Sequence, residues 1–364
     1  MSLLWMDGFD HYGAGADGPL AMLDGVYAEV DNNLTTAVTH ARTGTYSAVC
    51  GSGAGQAGSM RRIFGEAKAS AGVGFALWPE EIPAINDSCY LVAFCDTGNV
   101  GQVIFILQST GKVSAYRCTG TNVAIGTLLA ESADGAIVAS AFQHFEAAVT
   151  VSQTAGTVEA RVNGVTVLSA SGLDTAATAN VETSQVRVHG RLGASTVVMH
   201  IDDLFAWDTA GAQNNYFLGD RRVRTFFPNA DTAVADWSLT GAAAGYDCIN
   251  DAAPDEDTTY LSAVPLVGSP VTPLVSEFGL ENPPSTIGAV AAVQTYVRAR
   301  KTQAGDGDMQ VSMLSGSSAS AGADRPLTEQ YTYWTDVHEL NPDTGTPWNE
   351  SSLTSAKIRL SRTA

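Results

Sequence analysis

Asp202 and Asp203, in the run His200-Ile201-Asp202-Asp203-Leu204-Phe205-Ala206-Trp207, are this sequence's nearest approach to the paired acids of a β-sandwich glycosidase. Such enzymes flank one glycosidic bond with two carboxyl groups roughly 5 to 9 Å apart. On one strand that requires acids at alternating positions, because adjacent side chains point to opposite faces. The two aspartates are therefore expected to make turn or loop hydrogen bonds near a strand end. A catalytic pair would have to be assembled from separate strands.

Other chemistry is as thinly represented. The histidines His11, His40, His144, His189, His200 and His338 include no HxH or HExxH spacing that would set two imidazoles on one metal, so each is expected to be structural. No GxSxG elbow, P-loop or dinucleotide fingerprint occurs. Cys50, Cys89, Cys95, Cys118 and Cys248 form no CxxC pair and no zinc spacing; packed, reduced thiols are expected. Oxygen-ligand metal binding has two candidate places. One is Asp247, Asp251, Asp255, Glu256 and Asp257, and the other is Asp306 with Asp308. Neither follows the twelve-residue calcium loop, and solvated acidic loops are the simpler reading. Trp78, Trp334 and Trp348, in or beside expected loops, are candidates for stacking on sugars, with core packing or an interface as the competing explanation.

The elements that would position these groups are strands. Phe145, Ala147, Val149 and Val151 alternate, Thr154-Ala155-Gly156 turns the chain into Val158, Ala160 and Val162, and Asn163-Gly164 turns it again into Val165 and Val167. Asn-Gly suits a two-residue hairpin turn because both central positions need positive φ, so a three-strand meander is expected. A second hairpin joins 103–107 to 113–118 through Thr110-Gly111-Lys112, its first strand apolar throughout and so buried on both faces. Further strands are expected at 185–189, 197–207, 287–300, 309–314, 331–337 and 356–360. Residues 229–284 read as loop, with several Pro breaks. These patterns predict an all-β chain. Residues 1–225 form a first sandwich, 226–286 a connector or the start of a second domain, and 287–364 a smaller C-terminal sandwich; the alternative takes 226–364 as one domain.

Composition agrees with that class. The chain has 364 residues, 45% hydrophobic and only 16% charged, with 36 glycines, a mixture suited to short strands and tight turns rather than long amphipathic helices. Net charge is −19, and no Lys or Arg occurs between Arg224 and Arg298. That field repels polyanions, so nucleic acid and anionic membrane surfaces are not expected partners. Met1 to Phe9 lacks a basic segment followed by a long apolar run, and no stretch approaches the roughly 18 apolar residues of a membrane span. Secretion by a signal peptide and membrane insertion are not expected.

Four stretches carry a resemblance: Leu4-Trp5-Met6-Asp7-Gly8-Phe9-Asp10-His11-Tyr12, Val158-Glu159-Ala160-Arg161-Val162-Asn163-Gly164, Ile201-Asp202-Asp203-Leu204, and Phe217-Leu218-Gly219-Asp220-Arg221-Arg222-Val223. They resemble a widespread group of tailed-bacteriophage and prophage virion proteins whose first domain is similar to the concanavalin A-like, laminin-G-like jelly roll. Leu327 to Trp334, Asn341 to Gly345 and Trp348 are similar to the recurring end of these proteins. The matched positions are mostly strands and turns, so no catalytic residue carries over. The resemblance implies a non-enzymatic virion component of a tail, tail tip or fibre, made and assembled in the host bacterial cytoplasm with other virion proteins and homo-oligomeric. Its rivals are a capsid decoration protein, an adhesin for host-surface polysaccharide and a polysaccharide depolymerase. In a ring or trimer, Phe226 and Phe227 beside Arg221, Arg222 and Arg224 are the expected interface. No cofactor is expected beyond Ca2+ at the acidic loops.

Overall fold

The computed structural model describes residues 2–14, 22–23, 25–31, 33–51, 58–189, 197–266, 272–284, 287–304 and 307–364. It is all-β: among the described residues the longest regular helix, α1 (Glu350–Thr354), has five residues. Asn349 caps it, its side chain accepting the Ser352 N–H at 3.0 Å. Among the described residues, no helix is long and apolar enough to cross a membrane. The chain divides into two compact units, Met1–Leu23 with Tyr27–Arg224, and Asp24–Val26 with Thr225–Ala364.

The first unit is a jelly-roll sandwich of two antiparallel sheets. One sheet runs in the order β13 (Val165–Leu173), β12 (Gly156–Val162), β11 (Gln143–Thr150), β6 (Ser70–Pro79), β15 (Met199–Asp208), β4 (Ser47–Cys50), β3 (Leu34–Ala37), with β1 (Leu3–Asp7) also on β15. The other runs β10 (Ile125–Glu131), β9 (Val113–Cys118), β8 (Gly101–Gln108), β7 (Ser88–Cys95), β14 (Thr183–His189), β5 (Ser59–Lys68), β2 (Glu29–Val30). The meander is β11-β12-β13, and its tight turn has φ of 52° at Asn163 and 78° at Gly164. Both are positive, as the two-residue turn demands.

Period-two alternation sends Phe75 and Phe145 into the sandwich, where Phe145 meets Phe105 of the opposite sheet with ring centroids 6.4 Å apart. β8 is covered on both faces, because Ile104 and Ile106 pack outward with Ala93, Cys95 and Cys118 beneath Val123 and Ala177. The five cysteines are buried and free.

The outer face of the first sheet is also covered. On β6, Gly72 and Gly74 lie beneath the rings of Trp207 and Phe205, and a methyl group at either position would overlap those rings. Their missing side chains are the space in which the aromatics lie flat.

The second unit is a smaller sandwich-like arrangement. A sheet ordered β16 (Pro228–Ala235), β19 (Leu274–Leu280), β25 (Lys357–Arg362), β21 (Asp308–Ser315), β22 (Ser318–Ala321), with β23 (Arg325–Pro326) on β21, packs against two strand pairs. These are β17 (Ser238–Thr240) with β18 (Tyr260–Ser262), and β20 (Val293–Ala299) with β24 (Thr332–His338). Phe278, Met309, Val311, Ile358 and Leu360 form the core, with Trp237, Leu261, Val297 and Trp334 against them. Residues 229–284 are therefore not a loop region: β16, β17, β18 and β19 lie within or at its edge. β17 and β18 are only three residues long and β16 is exposed along most of its length, which hid them from a hydrophobic pattern. The strand expected over 287–300 is confined to β20.

Candidate functional site

Asp202 and Asp203 converge instead of diverging. The β15–β6 register passes from Asp202 opposite Ala76 to Phe205 opposite Gly74, so two residues of β15 oppose one of β6 between them. Asp203 takes φ of 53°. A left-handed residue inside a bulge breaks the alternation that neighbouring strand positions otherwise obey. Both carboxylates then meet the same loop, Arg42-Thr43.

Their oxygens are fully engaged by the chain itself. Asp202 Oδ2 accepts the N–H of Arg42 at 2.7 Å and of Thr43 at 2.9 Å, and Oδ1 accepts the N–H of Asp203 at 2.7 Å. Asp203 Oδ1 accepts the N–H of Val223 at 2.8 Å, while Oδ2 takes Thr43 Oγ1 at 3.1 Å and Arg42 Nη1 at 3.2 Å. Arg42 also grips Asp220, and Arg222 Nη1 donates to the Arg42 carbonyl at 2.9 Å. Burial raises the affinity of both aspartates for a proton, with the charge of Asp203 raising that of Asp202 further; the hydrogen bonds oppose the rise. Two such groups titrate as one unit. Neither is exposed at all. A general acid or base must reach a substrate atom, so this pair is a clasp that fixes residues 42–43 and 220–223.

The same segment closes the middle of the face. Glu146 Oε1 accepts the N–H groups of Leu218 at 2.9 Å and Gly219 at 3.0 Å. His144 stacks on Phe205, rings 19° from parallel, and Arg161 lies over Phe217 with its guanidinium carbon 4.0 Å from the ring centroid.

At one end the face stays open. His200 stands opposite Trp78 in the β15–β6 ladder. His40, exposed and held at φ of 55°, stacks on Trp78 with centroids 4.4 Å apart and 20° between planes, and meets His200 edge-on at 4.6 Å. Phe142 meets Trp78 edge-on, with centroids 5.1 Å apart and 67° between planes. His200 Nε2 lies 3.0 Å from Glu80 Oε1. Burial lowers the pKa of His200 below the ordinary imidazole value; the Glu80 contact opposes that, and His40 adds to it. Half-buried aromatic rings, two imidazoles and an exposed carboxylate thus share one solvent-facing corner. Among the described residues, His40, Glu80 and His200 are the one group of three metal-competent side chains whose ligand atoms all lie within 4.8 Å of one another.

The other sequence candidates are dispersed. Asp255 accepts from the N–H and hydroxyl of Thr259, and Asp251 from that hydroxyl too. Glu256 pairs with Arg298 at 2.6 Å and Asp257 with Arg300 at 2.7 Å, while Asp247 takes Asn250. Arginines distant in sequence pair with Glu256 and Asp257, while Asp251 and Asp255 share the Thr259 hydroxyl; among the described residues no three of these acids bring their ligand atoms within 4.8 Å of one another. Asp308 opens β21, and Asp306 lies outside the described residues. Trp348 is buried, its Nε1 donating to the His338 carbonyl at 3.0 Å, which removes it from the surface expected of a sugar platform. Trp334 is partly buried against the second core beneath Arg325. Arg221 Nε donates to the Leu218 carbonyl at 3.0 Å, and Phe226 and Phe227 are half-buried. Sequence spacing missed His40, Glu80, Phe142 and His200 as a group because four separate segments supply them. Trp78 and Glu80, two positions apart, were the signal present in the chain.

No protein-family model matches this chain, and no curated protein matches it. Among solved structures it is similar to the alginate lyase Aly36B, at 12% identity over 56% of this chain and 96% of that one, with a TM-score of 0.39. It is also similar to the cellulose-induced protein Cip1, at 14% identity over 48% and 84%, TM-score 0.35. The carbohydrate recognition domain of Emp46p, potassium-bound, aligns at 9% identity over 44% and 82%, TM-score 0.34. No residue role transfers at these identities.

Proposed function

We propose that this chain is a non-catalytic glycan-binding protein, with Trp78 and Phe142 as the sugar platform of the first sandwich. The observation that carries this reading is the open corner itself. Elsewhere the outer face is closed by residues 217–223, whose N–H groups bond Glu146 and Asp203, whereas Trp78, Phe142 and His40 form a contiguous aromatic surface at its end. Sugar C–H faces stack on such rings, and neighbouring polar groups orient the hydroxyls. The net charge of −19 favours neutral glycans over polyanionic ones. The setting we propose, a tail-associated surface of a bacteriophage particle, rests on the sequence resemblance.

A glycan array followed by host-cell adsorption tests the reading. Binding to neutral host-surface glycan, weakened at least about tenfold in Trp78→Ala, is expected. Absence of binding in a protein that still incorporates into particles would leave a purely structural role. New reducing or unsaturated ends released from host polysaccharide would make it an enzyme instead.

A further inference from the structure

We propose that His40, Glu80 and His200 form a binding site for a divalent transition ion of the zinc class. The inference goes beyond glycan recognition and does not depend on it.

Two imidazoles and a carboxylate are a donor set that suits zinc and its neighbours rather than calcium or magnesium, which prefer oxygen alone. Zn–N and Zn–O bonds of about 2.0–2.2 Å place neighbouring ligands of a tetrahedral site roughly 3.4 Å apart. His200 Nε2 and Glu80 Oε1 are 3.0 Å apart, and a ligand nitrogen of the exposed His40 lies within 4.8 Å of both.

The frame around the three is unusually well fixed. Glu80 follows directly on β6; its N–H donates to the Val198 carbonyl at 2.9 Å, and its carbonyl accepts Ser140 Oγ at 3.2 Å. His40 sits between two anchored residues, Thr39 and Arg42. The Thr39 carbonyl accepts Ser47 Oγ at 3.3 Å, and the Arg42 N–H is held by Asp202. Positive φ is costly for a residue with a β-carbon, and here it turns the His40 ring onto Trp78 and toward His200. Stacking on Trp78 restricts that ring, as outer contacts do in metal sites. Glu80 is half exposed and His40 exposed, so a fourth position faces solvent and is free for water or a ligand oxygen.

The test uses the full chain, stripped with EDTA and dialysed. Calorimetric titration with Zn2+ should give one ion per chain, and Co2+ should produce visible d–d absorption from nitrogen and oxygen ligation. His40→Ala and Glu80→Gln should weaken binding by at least about tenfold. Zn2+ should raise the Tm of the parent but not of His40→Ala. Because His200 is buried, the exposed His40 is the primary variant; an unchanged Tm without ion separates lost binding from lost fold. A Co2+ spectrum absent at millimolar ion, or equal Zn2+ affinity in parent and His40→Ala, would overturn the site and leave a hydrogen-bonded His200–Glu80 pair. Glycan binding by the parent in EDTA is read separately, so the two proposals fail independently.

Discussion

Asp202 Oδ2 accepts the backbone N–H of Arg42 at 2.7 Å across 160 residues of chain. The bond joins the bulge of β15 to the loop that carries His40, and Asp203 extends the clasp to Val223. Asp202→Ala removes the acceptor of the Arg42, Thr43 and Asp203 N–H groups. An unsatisfied buried donor costs roughly 1–3 kcal/mol, so a loss of about 2–5 kcal/mol is expected in urea unfolding. Full stability in this variant would show that water replaces the clasp.

Asp7 supplies a pH dependence. Its carboxyl is fully buried, accepting Tyr12 Oη at 2.7 Å, Tyr27 Oη at 2.8 Å and the Phe9 N–H at 2.9 Å. Burial pushes its pKa from 3.8 up to about 6 against those bonds. A folded-state pKa above the unfolded one makes a contribution that is fully present below about pH 4 and lost as pH rises through 6. About 3 kcal/mol is at stake, at 1.36 kcal/mol per pH unit. The difference in unfolding free energy between parent and Asp7→Asn should therefore change between pH 4 and pH 7; a constant difference would place the Asp7 pKa near its ordinary value.

Gly72 and Gly74 should tolerate no side chain. A Cβ at Gly72 would overlap the Trp207 indole, and one at Gly74 the Phe205 ring. Overpacking typically costs about 1–3 kcal/mol. Thermal unfolding of Gly72→Ala should show a lowered Tm, although alanine ordinarily favours a strand over glycine.

Two tryptophans should separate stability from recognition. Trp348 is buried against Met313 and Ala356, and Trp348→Ala should cost about 3–5 kcal/mol in unfolding experiments. Trp78→Ala, at a half-buried position, should cost clearly less while carrying the glycan-binding effect. The reverse order of stabilities would move the core boundary.

The sequence by itself determined the class and the local turns. Alternation from Phe145 to Val151 and the Asn163-Gly164 pair specify the meander, because period two and positive φ are properties of a few consecutive residues. Tertiary structure decided the sites. The rule that adjacent strand residues diverge holds only along an unbroken ladder, and the bulge beside Asp203 appears only once β15 is paired with β6. Likewise, Glu256 and Asp257 found their arginines more than 40 residues away on β20 and just beyond it. The imidazoles of His40 and His200, meeting beside Glu80, come together through sheet order alone, since no spacing within a strand or turn encodes a contact that three separate strand ends and loops must close.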